Sequence, residues 1–387
     1  MALDKIPGLY YDETADYQTA GTGGKIPVII GVTGNSATTG YAVDGTQINK
    51  FVSWDEVNRT IANGGIGTDT STNKLLAVLK DFFEEAEPKS TEDLGIPHIY
   101  VIDVGNGTSK DVWLTALTTA KTKTDAIIEL YIGAEEITDT GYNLPDFIVA
   151  ADASIKTECA NLNLRTGFTT KDGATDAQLI ALNPTSGGIL KSRMGIIEPL
   201  KVGKHFARIC TTPYYLEPGF LEFRTIRPET FLSRTRAEEL ALQNAGIIFG
   251  RDEKVNDLTL CRINLSTSTA FAANPRPADS LFHARFNADN LLRRVFEAVY
   301  PQVKANESSS NIITSQTRVD AVIDEEVKAE RMIPYDETTG DGTKLTLVES
   351  GSQPYDMELT GQIQPINCTG PIVVKAKIKN PKIVATE

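Results

Sequence analysis

The sequence predicts a mixed α/β fold. A mainly parallel sheet covered by helices is expected over residues 25–200, a second C-terminal unit over 201–335, and strands with an arm over 336–387. A further extended arm is expected over residues 1–24. Three observations carry this reading. Short, wholly apolar runs alternate with amphipathic stretches of helical period, the pattern of strands buried on both faces. The chain has 387 residues, more than one small core organises. Both ends also differ in texture from the middle, the first being rich in Gly and Thr and the last strictly alternating.

The elements follow in order. Residues 1–24 hold Leu9-Tyr10-Tyr11-Asp12 and end in Gly21-Thr22-Gly23-Gly24, too few apolar residues to fold alone and a flexible joint at the end. Ile26 to Val32 reads as a buried strand, followed by a loop rich in Gly, Ser and Thr. Ser53 and Glu56 have the spacing of a capping box opening a helix that Asn63-Gly64-Gly65 stops. Asn73 to Glu87 is an amphipathic helix with Leu75, Leu76, Val78, Leu79, Phe82 and Phe83 on one face, ended by Pro88. His98 to Val104 reads as a strand, Val112 to Lys123 as a helix, Ala126 to Ile132 as a strand and Phe147 to Ala151 as another strand. Ile155 to Asn163 reads as helical, an apolar run spans Leu179 to Leu182, and Gly187-Gly188 is a break.

Beyond residue 200 the expected strands are Phe206–Cys210, Phe220–Thr225, Gly246–Gly250 and Leu258–Asn264. The expected helices are Ser233–Asn244, with Leu240 and Leu242 inward, then Asp279–Tyr300 ended by Pro301, and Ser315–Met332. Asn306 to Ser310 reads as a loop, and so does Asp336 to Gly351. Residues 355–364 alternate as a half-buried strand does. After a break at Asn367 to Pro371, the run Ile372-Val373-Val374-Lys375-Ala376-Lys377-Ile378 alternates too, with Lys375, Lys377 and Lys379 on one face. This last strand has two readings. It is the edge of its own sheet, its lysines discouraging aggregation, or an arm that pairs with another chain.

Charge and composition exclude several classes. The chain carries 38 Lys and Arg against 51 Asp and Glu, a net charge of −13, which argues against nucleic acid or an anionic membrane as the main partner. No apolar run approaches the roughly 20 residues of a membrane helix, and the N-terminus lacks a signal-peptide pattern. Four scattered cysteines (Cys159, Cys210, Cys261, Cys368) form no CxxC pair and read as reduced thiols. Three distant histidines (His98, His205, His283) suggest no metal site, His98 reading as a core or edge residue and His283 as a surface or interface one. Gly21 to Ile26 only grazes the phosphate-loop pattern: Thr19 stands where the first glycine belongs, Ile26 where a Ser or Thr must reach magnesium, and a strand follows. There is no GxGxxG after the first strand and no GxSxG elbow. Adjacent carboxylates such as Glu84/Glu85 and Glu325/Glu326 do not face one another on a helix and read as solvated surface. No catalytic residue, cofactor or metal is expected.

Taken in order, several of these segments resemble the contractile tail sheath proteins of phages, phage-like bacteriocins and related injection systems. Ile6-Pro7-Gly8-Leu9-Tyr10-Tyr11-Asp12-Glu13 is similar to the family's opening of Pro-Gly, an aromatic and acids, with Leu9 and Tyr11 where smaller β-branched residues are common. Val28 to Val32, then Phe51-Val52-Ser53-Trp54-Asp55-Glu56, resemble its next strand and helix. Leu75 to Phe83 with Ile99 to Val104, the run Phe147 to Ala151, Arg293-Arg294-Val295-Phe296 in the long helix, and the two C-terminal alternating segments resemble later ones. Residues 152–230 match poorly.

The resemblance implies a sheath-type C-terminal core domain with extended arms at both ends. It implies a subunit that polymerises helically, in stacked rings around an inner tube protein, and contracts to drive that tube through a target envelope. Baseplate and terminator proteins are the other implied partners, and a virion tail or phage-like particle assembled in the host cytoplasm is the implied location. The arm strands would be Leu9 to Asp12 and Ile372 to Ile378, the hinges Gly21, Gly23 and Gly24 with the loop 336–351, and the tube-facing charges Lys328 and Arg331. Two alternatives stand beside it: another structural particle component, such as a capsid or baseplate protein, and a soluble α/β enzyme.

Overall fold

The structure, a computed structural model, describes residues 25–35, 41–68, 72–86, 95–160, 163–183, 193–220, 222–255, 258–271, 280–303, 309–349, 357–366 and 372–378. Leu9 to Asp12, Gly21, Gly23, Gly24, Pro88, Gly187, Gly188, the break at 367–371 and Cys368 lie outside the described residues.

The chain begins with β1 (Pro27–Gly31), β2 (Asn49–Phe51), α1 (Trp54–Ala62) and α2 (Lys74–Ala86). Then come β3 (Ile99–Asp103), α3 (Lys110–Ala120), β4 (Ile128–Ile132) and α4 (Leu144–Ala160). β5 (Thr166–Thr169), α5 (Asp176–Ala181), β6 (Met194–Ile197), α6 (Val202–Thr211), α7 (Arg236–Asn244) and β7 (Ile247–Ile248) complete the first layer system. Seven strands form one sheet in the order β2-β3-β1-β4-β5-β6-β7. Only β2 runs antiparallel to its neighbour, at an edge. The sheet continues past residue 200 through β7, so the expected division at 200 falls inside it.

The central strands are mostly apolar because each face of the sheet carries a core. On one face Ile29, Val101 and Leu130 meet α2 and α6 through Leu79, Phe82 and Phe206. On the other, Val28, Ile30 and Tyr131 meet Trp113 of α3, Phe147 of α4 and Leu242 of α7. A hairpin, β8 (Gly250–Val255) with β9 (Leu258–Ile263), leads to two long helices, α8 (Phe282–Val303) and α9 (Ser309–Lys328). An antiparallel sheet of β10 (Lys344–Glu349), β11 (Met357–Ile363) and β12 (Ile372–Ile378), in that order, packs on them.

Several expectations are corrected. Phe147 to Ala151 is helix, not strand: it lies within the 17-residue α4, which also absorbs the helix expected at 155–163. Asn143 and Asp146 cap each other's backbone N–H reciprocally, at 3.2 and 3.0 Å, and fix that helix start. Phe206 to Cys210 is likewise helix, in α6, whose residues 202–211 are all buried. Its polar residues Lys204, His205 and Arg208 share one side of the helix but are buried with the rest. The described residues of 220–225 belong to no strand; Glu222 bridges Arg262, and the Phe223 amide donates to the Cys261 carbonyl.

Leu242 is buried but Leu240 points outward on α7. The single strand expected at 246–250 is split between β7 and β8. The Ser53 side chain makes no capping bond; Glu56 reaches back to the Val52 amide instead. α8 runs through Pro301 to Val303, because a proline in a final turn forfeits only one intrahelical donor. α9 begins at Ser309, inside the loop expected at 306–310, and ends at Lys328 rather than Met332. The loop expected over 336–351 contains β10.

Candidate assembly interface

α8 spans two cores. Phe282 and Phe286, at its start, belong to the core under the large sheet. Leu291, Val295 and Val299 belong to a separate core with Val319 and Ile323 of α9, Leu345 and Leu347 of β10, and Leu359 and Ile363 of β11. Between them, Asp289 forms a buried bidentate ion pair with Arg193, the Nη2–Oδ1 contact being 3.0 Å. Arg193 also donates to the Arg165 carbonyl and Arg293 to the Leu164 carbonyl, so the helix is fastened to the loops at the base of β5 and β6. Arg294 pairs with Glu325 and Glu326 and ties α8 to α9. Neither Arg193 nor Asp289 is legible as a pair from the sequence, being 96 positions apart.

The C-terminal sheet has two unlike edges. At the β10 edge, the Gln316 side-chain amide of α9 donates to the Leu345 carbonyl at 3.0 Å and accepts from the Leu347 amide at 2.8 Å. The Thr343 amide donates to the Ile333 carbonyl just upstream. At the other edge β12 pairs with β11 over the full register from Met357↔Ile378 to Ile363↔Ile372. Among the described residues no strand lies beyond β12. Because the main-chain groups of Leu345 and Leu347 point away from β11, the ladder alternation turns those of Val374 and Ala376 toward β11, and those of Val373, Lys375 and Lys377 outward.

The first described residue anchors the point at which residues 1–24 leave. Lys25 is 1% exposed. Its amide donates to the Cys210 carbonyl. Its ammonium donates to the Ile209 and Thr212 carbonyls at the C-terminal end of α6, at 3.0 and 2.5 Å, and lies 4.8 Å from the Phe286 ring centroid. Burial pushes its pKa down to about 7.

Of the two charges expected to face a partner, Lys328 is exposed at the end of α9. Arg331 is occupied internally: it pairs with Glu326 at 3.4 Å and lies over the Tyr215 ring, 4.6 Å from its centroid. The solvent face of α9 around Lys328 is acidic, with Asp320, Asp324 and Glu325 all exposed.

The polar clusters elsewhere are self-contained. At the carboxyl ends of β1 and β4, where doubly wound sheets hold ligands, Lys74 is matched by Glu135 at 2.7 Å, Glu136 at 2.6 Å and Asp172 at 3.6 Å. Each histidine faces a carboxylate of its own fold: His98 meets Asp125, His205 meets Glu198 and His283 meets Glu217. His283 is buried, not on the surface as expected. Burial pushes the thiols of Cys159 and Cys210 up, and burial with the Asp252 carboxylate pushes Cys261 up to about 12, away from nucleophilic thiolate. Among the described residues, no group of three or more His, Cys, Asp or Glu is placed to hold a metal ion, and no helix is long and apolar enough to cross a membrane.

No protein-family model and no curated protein matches the chain. Solved structures do. The sheath tail protein from Listeria innocua superimposes with a TM-score of 0.60 at 8% identity, over 93% of this chain and 96% of its own. The helical sheath of the anti-feeding prophage in its contracted state gives 0.56 at 10% identity, over 100% and 99%. The sheath tail protein from Desulfitobacterium hafniense gives 0.58 at 9% identity, over 96% and 100%. This chain has the contractile sheath fold. The likeness to the anti-feeding prophage sheath covers the whole of this chain, and so takes in the region 152–230 that the sequence matched poorly.

Proposed function

We propose that this chain is the structural subunit of a contractile sheath, polymerising helically around an inner tube and contracting to drive it through a target envelope. The observation that carries the reading is the match to sheath proteins over nearly the whole length of both chains. The C-terminal sheet supplies the physical means. An open strand edge is a template for main-chain pairing with another chain. The ladder that β12 forms with its own β11 is equally available to residues 372–378 of a neighbour, as in strand exchange. Leu9 to Asp12, carried beyond Gly21, Gly23 and Gly24, is the second extended segment for such pairing, and Lys25 fixes where it departs.

Strand-linked subunits can rotate as rigid bodies about flexible arm bases while their ladders persist. A sheath built in a trapped extended state then releases its free energy in contraction. The partners of this reading are further copies of the chain, an inner tube protein, and baseplate and terminator proteins, in a phage-like particle assembled in the host cytoplasm. With Arg331 held internally, α9 offers Lys328 within an acidic face, so a tube surface meeting it is basic. The reading requires no catalysis, cofactor, nucleic acid or membrane insertion. Electron microscopy of the full chain expressed with its tube and baseplate partners tests it: hollow tubes with a helical surface lattice are expected, and their absence from such preparations refutes it.

A further inference from the structure

We infer that Gln316 makes strand addition to the C-terminal sheet one-sided, closing the β10 edge so that an extended segment of a second copy of this chain joins only at the β12 side. The inference rests on the sheath reading above for the identity of the incoming segment. It rests on geometry for the closure.

A strand end in a sheet is attractive because its outward N–H and C=O groups are unmatched. On β10 those groups belong to alternate residues, and Gln316 meets two of them at once. Its Nε2 takes the Leu345 carbonyl and its Oε1 takes the Leu347 amide, at 3.0 and 2.8 Å. These are the carbonyl and the amide two residues on that an adjacent strand would engage. The second Nε2 hydrogen goes to Asp320 Oδ1 at 2.8 Å. The amide therefore has one useful orientation, since a flipped one would set oxygen against both the Leu345 carbonyl and the Asp320 carboxylate. One turn of strand upstream, the Ile333 carbonyl takes the Thr343 amide, so main chain from the same subunit continues the closure. The apolar contact beneath is firm: Leu345, Leu347 and Val319 are 1%, 5% and 0% exposed in one core.

β12 lacks any such cover among the described residues, and its outward groups are those of Val373, Lys375 and Lys377. The occupant of that edge is an extended segment of another copy. Residues 1–24 span up to about 80 Å when extended, enough to leave one subunit and lie on the next. An open β10 edge would be a second, competing template for main-chain pairing; with it closed, every incoming strand meets the β12 side. Serving this purpose, Gln316 is a positioning residue, acting through the strand it covers.

The test compares the full wild-type chain with Gln316→Ala and Gln316→Glu by sedimentation velocity below the onset of tube formation, and by electron microscopy above it. Gln316→Ala uncovers both Leu345 and Leu347; Gln316→Glu keeps the Leu347 bond but loses those to Leu345 and Asp320. The expected result is self-association at a concentration at least roughly tenfold lower for Gln316→Ala, a smaller shift for Gln316→Glu, and loss of single-diameter tubes to laterally fused or irregular aggregates. Circular dichroism melting confirms that each variant is folded; if Gln316→Ala is not, Gln316→Glu alone decides. Folded variants that sediment as the wild type and build the same tubes overturn the inference while leaving the sheath reading intact. Wild type that never forms tubes with its partners removes the sheath reading, and self-association of the variants still decides whether Gln316 closes an edge.

Discussion

Lys25→Met tests whether the arm base is anchored by a buried ammonium. The substitution keeps the length and apolar body of the side chain and deletes its charge and its donors. Lys25 is 1% exposed, and its pKa falls from 10.5 to about 7 on folding. The sign follows from linkage. The folded state holds fewer protons than the unfolded state between pH 7 and 10.5, so stability rises with pH in that window and the full penalty of the buried charge is present below pH 7. One proton gives a slope of at most about 1.4 kcal/mol per pH unit, so the wild type should gain about 2 kcal/mol from pH 7 to pH 9. Lys25→Met loses that gain. It also leaves the Ile209 and Thr212 carbonyls without their donor, a cost of about 1–3 kcal/mol at any pH. The difference between the two proteins should therefore be about 1–3 kcal/mol at pH 7 and grow by about 2 kcal/mol by pH 9. Urea unfolding of the monomer followed by far-ultraviolet circular dichroism at pH 7, 8 and 9 measures it. Parallel pH curves for the two proteins would refute the buried-ammonium argument.

Asp289→Ala should lower stability by about 3–5 kcal/mol, because it strands the buried Arg193 guanidinium between the two cores; Arg193→Met with Asp289→Leu should recover much of that in a thermal melt, and a single variant that melts like the wild type would contradict the strut role of α8. Gly203→Ala should cost about 1–3 kcal/mol, since its Cβ would lie 2.4 Å from the Val78 carbonyl and 2.9 Å from Asp81 Cβ, where α6 crosses α2; an unchanged urea midpoint would mean that the crossing yields. Lys375→Pro removes an outward donor of β12, whereas Ala376→Pro removes one turned to β11. The first should stop tube growth with the monomer melt within about 1 kcal/mol of wild type, and the second should detach β12 as well; normal tubes from Lys375→Pro would exclude addition at that edge. Deleting residues 1–20 should leave a folded monomer that cannot polymerise, read by sedimentation, whereas an unfolded product would place the arm in the core of its own subunit.

What the sequence made legible is what local pattern encodes. β1, β3 and β4 are five-residue stretches dominated by apolar residues, and α2 and α7 carry their own faces or caps, as in the reciprocal Thr235–Glu238 box. The misread run at 147–151 is an apolar stretch whose helical period is hidden by burial. In α4, Phe147, Ile148 and Ala151 are all buried, and the five-residue run looks the same as a parallel strand. The deciding signal was upstream, in Asn143, Pro145 and Asp146, which together open a helix. β10 was also readable in principle: Leu345 and Leu347 are buried while Thr346 and Val348 are exposed, a period of two masked by the Gly- and Thr-rich stretch before it. Gln316 carried no signal at all. A glutamine on a helix is ordinary, and its role exists only because the fold sets it against a strand 29 residues on.

The same distinction explains why the candidate interface is less legible than the fold. A strand edge becomes an interface through what is absent beside it, and only the tertiary arrangement settles which of two edges stays open. β10 and β12 both end the three-stranded sheet and both alternate along their length. Sequence alone singled out the second for its lysine row and passed over the first as a loop. Their difference lies in α9, whose Gln316 covers one edge while β12 keeps its outward groups of Val373, Lys375 and Lys377 beyond β11. Because α9 is fastened to α8 by Arg294, and α8 to the large sheet by Arg193 and Asp289, the covered edge is fixed relative to the whole subunit. On the sheath reading, a strand added at β12 would pass force to the α/β body through α9 and α8 rather than through a loop. Rigid subunits joined by extended, hydrogen-bonded segments are what a lattice needs if it is to change its spacing without coming apart.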